Sequence, residues 1–211
     1  MKTAIAAKPS GNGAVKTQGF EVIELPRPNI QQMTIKVIGI SPLLMNKWSE
    51  KAMAMIRDKQ QKKAKAGREA KNPQADYEAS IHHDADGDYA FPSVAFKSAA
   101  VTAITQLPGS GITKVFARGA FHIEPEYVKI QGEPHMREDM VKVGMGVADI
   151  HYRAEFTEWS AEIPISYNAG IISRAQLLNL FQLAGFSVGI GEWRPERDGR
   201  LGRFRLAEEN E

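Results

Sequence analysis

The stretch Met33-Thr-Ile-Lys-Val-Ile-Gly-Ile-Ser-Pro42 decides how the rest of the chain is read. Its apolar, β-branched residues suit a strand from Met33 to Ile40, and Ser41-Pro42 ends it. A helix is expected after Asn46, which can cap it, with Trp48, Ala52, Met55 and Ile56 on one stripe. Asp86-Gly87 then makes a turn before a short strand at Tyr89 to Phe91. A helix entered at Pro92-Ser93 follows, burying Phe96, Ala100, Ala103 and Ile104. Val115 to Ile123 reads as a second long strand. Ile150, Tyr152, Ala154 and Phe156 alternate with His151, Arg153 and Glu155, and the alternation resumes after Thr157-Glu158 as Trp159, Ala161, Ile163, Ile165 and Tyr167. That pattern predicts a hairpin, with Pro164 marking an edge strand. Ser173 and Gln176 form a capping box for a helix burying Leu177, Leu180, Phe181 and Ala184, which Gly185 should stop. Arg203 to Leu206 offers a last short strand. The order is β-α-β-β-α-β with an extra hairpin: an α+β, ferredoxin-like or modified RNA-recognition-motif fold with an inserted basic helix.

Around this core, residues 1–32 are rich in Gly, Pro, Lys and Gln and read as a flexible N-terminal arm, and 207–211 as a disordered acidic tail. The single domain is expected over 33–206, with an insertion at about 46–88. Its stretch from Lys47 to Lys71 carries nine Lys/Arg against three acids, a local charge of +6, so it belongs in solvent.

The chain has 211 residues, a net charge of +2 and no cysteine. These values exclude disulfides, a thiolate zinc site and a cysteine nucleophile. No apolar run nears the roughly 20 residues of a membrane span, and Ala4 to Ala7 is too short for a signal-peptide core, so the expected location is cytoplasmic.

Two clusters compete for chemistry. His82, His83, Asp84, Asp86 and Asp88 could hold a divalent metal for hydrolysis, but their spacing fits no calcium loop, and Asp86-Gly87 is itself a hairpin turn. No P-loop and no Gly-x-Ser-x-Gly elbow occurs, and His122, His135 and His151 fall on different elements. The second cluster runs from Gly185 to Phe204, with five glycines, four arginines (Arg194, Arg197, Arg200 and Arg203) and Trp193 at its centre. Glycine lets backbone approach a phosphate, and arginine grips phosphate or stacks on bases. The competing reading is a surface hairpin whose arginines pair with Glu192, Glu196 and Asp198. A loop at 135–146, with His135, Arg137, Lys142 and three methionines, is a further candidate contact.

Three segments resemble, in order, the RAMP (repeat-associated mysterious protein) superfamily, and within it the backbone subunits of CRISPR effector complexes. Ile38-Gly-Ile-Ser-Pro-Leu43 looks like its strand and Ser/Thr-Pro-Leu turn. Phe91-Pro-Ser-Val-Ala-Phe-Lys-Ser-Ala99 is similar to its entry into the first helix. Leu183-Ala-Gly185 through Gly189, Gly191, Gly199, Gly202 and Phe204 resembles its glycine-rich loop. The resemblance implies a modified RNA-recognition-motif fold, single-stranded nucleic acid bound along its backbone, and helical polymerisation through a thumb-like hairpin. It puts Lys97 at the family's helix lysine. The loop here is poorer in glycine and richer in acid, and the aromatic consensus of RNA-binding sheets is missing. The chain is short for a CRISPR subunit and suggests a compact phage- or mobile-element-borne relative.

The sequence therefore predicts a sequence-independent binder of single-stranded RNA or DNA that oligomerises as a helix or filament, with no cofactor, no metal and no catalytic residue. Its expected contacts are Lys47, Lys51, Arg57, Lys97, His135, Arg137, Lys142, Trp193, Arg194, Arg197, Arg200 and Arg203. The alternatives are a metal-dependent nuclease drawing on the histidine–aspartate cluster and Asp139, and a protein-only assembly or inhibitor subunit.

Overall fold

Alternating burial along two long strands organises the molecule. A computed structural model describes residues 27–62, 70–109, 111–142 and 148–208, with only the backbone for 50–52. Most of the expected arm, residues 63–69 of the basic stretch, 143–147 of the methionine loop and the last three residues lie outside the described residues. In chain order the elements are β1 (Ile30–Gly39), β2 (Leu43–Leu44), α1 (Glu50–Gln60), α2 (Pro73–Ala79), β3 (Ala90–Pro92), α3 (Ser93–Ala103), α4 (Lys114–Ala120), β4 (Phe121–Ile123), β5 (Tyr127–Gln131), β6 (Pro134–Lys142), β7 (Ala148–Phe156), β8 (Ser160–Asn168), α5 (Arg174–Ser187) and β9 (Phe204–Leu206).

The fold is α+β, with two antiparallel sheets. The larger runs β3-β5-β8-β1-β9, with β4 also paired to β8, and the smaller runs β2-β7-β6. β1 and β8 pair from Ile30↔Asn168 to Ile38↔Ser160, which sets Ile35 opposite Ile163 and Val37 opposite Ala161. Those residues are buried with Phe96 and Ala100 of α3 and Leu177 and Phe181 of α5, so both helices cover one face. The other face carries Thr34, Lys36, Glu162 and Pro164, partly or fully exposed, with Tyr127 of β5 lining the same surface.

The capping box at Ser173 and Gln176 is present, and α3 begins at Ser93 as read from sequence. Gly185 does not stop α5; it lies inside the helix, where any Cβ would overlap the Phe204 carbonyl, so glycine is needed for α5 to approach β9. The expected strand at Val115 to Ile123 is mostly α4. Thr113 caps it through Phe116 N–H at 3.2 Å, and Ala117 and Ala120, spaced for a helix, are buried. The helix after Asn46 forms at Glu50, but Trp48, Met55 and Ile56 are exposed, so its stripe is not core. β1 starts at Ile30, three residues earlier than expected.

The predicted β7–β8 hairpin is absent among the described residues. Thr157-Glu158 instead carries the chain from the small sheet to the large one, and β7 pairs over nine residues with β6, which the sequence presents as a loop. β8 is central rather than an edge. Its Pro164 is tolerated because β5 pairs at 160–161 and β4 at 165–167, leaving a gap on that flank.

Candidate nucleic-acid interface

The glycine-rich loop after α5 is held from three sides. Gly202 N–H donates to Pro42 O at 2.7 Å, Ile40 N–H to Arg203 O at 2.9 Å, and Arg203 N–H to Ser41 Oγ at 2.9 Å. Glu192 N–H donates to Leu44 O at 3.0 Å. Gly202, at φ +64°, passes so near Ile190 that a Cβ would overlap its carbonyl. The Ser-Pro-Leu turn and the loop are thus one structure, and β2 ties them to β7 through Leu43↔Phe156.

On the side facing β6 and β7, charge is concentrated. Arg153 is 4% exposed; its Nη2 lies 2.7 Å from Asp139 and its Nη1 3.7 Å from Glu192. Arg137 reaches Asp139 at 3.0 Å and Glu155 at 2.6 Å. Trp193 lies over both guanidiniums, 5.2 Å from each, which is cation–π geometry. Its φ of +51° is unusual for so bulky a residue, and such a conformation costs on the order of 1–3 kcal/mol. Half-exposed, it walls a cavity of about 280 Å3 together with Arg137, Arg197 and Arg200. Arg197 and Arg200 are exposed and have no carboxylate partner among the described residues. Arg194 is committed to Glu196 at 2.7 Å and to Gly191 O, as the surface-hairpin reading expects.

Four of the residues read from sequence, Arg137, Trp193, Arg197 and Arg200, therefore meet at one place. The others do not. Lys97 Nζ turns to His122 Nδ1 at 3.2 Å, where burial lowers its pKa. Arg203 lies over the Phe186 ring at 5.5 Å. His135 and Lys142 are exposed on β6, and Arg57 on α1. Lys47 lines a separate cavity between α2 and β7; Lys51 lies in α1, its side chain undescribed. Sequence reading missed Arg153. Its alternation put it on an outer face, which the loop covers.

The aspartates of the histidine–aspartate cluster are engaged by a lysine. Asp84, Asp86 and Asp88 gather around Lys129 at 3.8, 3.6 and 2.6 Å, His83 Nδ1 faces Gly87 O, and Asp139 is the buried partner of two arginines. Among the described residues no three His, Asp or Glu side chains are placed to share a metal ion.

His82 points away from that turn, against Phe91 and Tyr127. Burial first, then the charge of Lys47 and the neighbouring His83, lower its pKa from 6.5 to about 4. The unfolded chain takes up this proton near pH 6.5 and the folded chain only near 4, so acid favours unfolding. The stability given by neutral His82 is complete above pH 6.5 and lost progressively down to about 4. After discounting for its partial exposure this amounts to about 1–2 kcal/mol. Melting temperatures measured from pH 7 to 4.5 should fall more steeply for the native protein than for His82→Phe.

No family model matches the chain, and no curated protein matches it. Among solved structures, the chain is similar to the crystal structure of Cmr6 from Pyrococcus furiosus at 10% identity, over 85% of this chain and 99% of that one, with a TM-score of 0.44. Among the described residues no helix is long and apolar enough to cross a membrane.

Proposed function

We propose that this chain is a RAMP-like protein that binds single-stranded nucleic acid, RNA or DNA, along its sugar–phosphate backbone. The observation that carries the reading is the pair Arg197 and Arg200, without a carboxylate partner among the described residues, beside Arg137 and the half-exposed Trp193. Unpaired guanidiniums recruit phosphates, and an indole is a stacking surface for a base of any identity. Such a site fixes the strand without reading its sequence. The order β9-β1-β8-β5 across the larger sheet, with α3 and α5 on one face, supports the ferredoxin-like reading.

Assembly along the strand belongs to the same proposal. Met136, Met140 and Ile150 stand exposed on the β6–β7 ribbon, Met140 at 79%, and supply an apolar surface for a neighbouring subunit. Fluorescence polarisation with a labelled 20-nucleotide strand tests the binding. Affinity for the single strand should fall steeply as salt rises, and duplex should bind more weakly. Absence of binding at low salt, or affinity indifferent to salt, refutes the proposal.

A further inference from the structure

Trp193 holds a backbone conformation that its own side chain disfavours. Its φ of +51° is left-handed, easy for glycine and strained for a bulky residue, so surrounding contacts must keep it there. The loop supplies some of them. Leu201 N–H donates to the Trp193 carbonyl at 2.9 Å, and Gly199 passes so near that a Cβ would overlap that carbonyl. These contacts fix the main chain and leave the direction of the indole to its side-chain neighbours.

Those neighbours are Arg137 and Arg153, each with its guanidinium carbon 5.2 Å from the ring centroid. The two arginines differ in kind. Arg137 is partly exposed and walls the same cavity as Arg197 and Arg200, where a phosphate can reach it. Arg153 is 4% exposed and is clamped between carboxylates of two elements, Asp139 of β6 at 2.7 Å and Glu192 of the loop at 3.7 Å. Glu192 accepts in turn from Asn46 at 3.2 Å. A guanidinium so fixed cannot follow the indole, so the indole follows it. Exchanging a buried ion pair for apolar residues of similar volume is often neutral for stability, so stability alone does not account for a cation here. A cation draws the face of a tryptophan to one place, most strongly away from water, which an apolar side chain cannot do.

We infer, resting on the strand binding proposed above, that Arg153 is a positioning residue: it holds the Trp193 indole on the wall shared with Arg197 and Arg200. A base then stacks on the indole beside the guanidiniums that fix its phosphates.

Arg153→Met tests this, since Asp139 keeps Arg137 at 3.0 Å and the volume stays filled. Labelled with 5-fluorotryptophan, the protein gives three fluorine resonances, and the one lost in Trp193→Phe belongs to Trp193. Before any strand is added, that resonance should shift and broaden in Arg153→Met and return part of the way in Arg153→Lys, which keeps a cation. Affinity for a single strand should fall about tenfold, as for one lost stacking contact, with the salt slope unchanged because Arg197 and Arg200 remain. Trp193→Ala should lower affinity equally, and the two changes together no further than either alone, because one acts through the other. A purely structural role moves the melting temperature and gives losses that add. Arg153→Gln, uncharged but able to hydrogen-bond Asp139, serves the same comparisons should methionine prevent folding. An unmoved Trp193 resonance, native affinity in the uncharged variant, or additive losses overturn the inference and leave strand binding standing. No binding of any strand by the native protein overturns both.

Discussion

Reversing Arg197 and Arg200 together, Arg197→Glu/Arg200→Glu, should lower affinity for a single strand by about a hundredfold at moderate salt. Each removed phosphate contact takes away about 0.7 from the slope of log affinity against log salt, so the double variant should lose about 1.4. The matched change at Arg118 and Arg174, exposed on α4 and α5, alters net charge equally and should cost less than about threefold. Equal losses in both variants would mean that the protein attracts nucleic acid only through its overall field. Polarisation across a salt series separates the two, because only a lost contact changes the slope.

Asp139→Ala should be among the most destabilising single changes in the chain, by about 3–5 kcal/mol. Asp139 is 9% exposed and answers two guanidiniums, Arg137 at 3.0 Å and Arg153 at 2.7 Å. Its removal leaves Arg153 buried, with Glu192 at 3.7 Å as its nearest remaining acid and Nε already without an acceptor. A loss of that size takes a large part of the stability of an ordinary domain. Pairing it with Arg153→Met removes the stranded charge and should recover much of the loss, a coupling that a double-mutant cycle measures. A catalytic role predicts a different pattern: stability unchanged, and a magnesium-dependent cleavage lost.

The legible parts of the sequence were those whose signals are local. β1 announces itself by its branched residues, α5 by its capping box, and α3 by Pro92-Ser93. β6 was hidden because both of its faces carry polar residues, His135, Arg137 and Asp139 on one and Glu138 and Lys142 on the other, so no period-two apolar signal exists. α4 was misread because Val115 and Phe116 favour strands, whereas Thr113 and the two buried alanines decide the matter. The candidate site was half legible. Its arginines and Trp193 stand out in the loop, but Arg137 reaches them from β6 only through tertiary packing, and which arginines are already paired is a matter of geometry that spacing does not carry. The +6 stretch is basic by composition, yet of its cations Lys71 is tied to Asp149 at 2.7 Å.

Photo-crosslinking of a single strand bearing 5-iodouracil, followed by mass spectrometry of the attached peptide, tests the central claim most directly. Crosslinks should concentrate on the segment from Trp193 to Arg203 and diminish in Arg197→Glu/Arg200→Glu. Crosslinks confined to α1 or to the outer face of the larger sheet, with none on that loop, would contradict it.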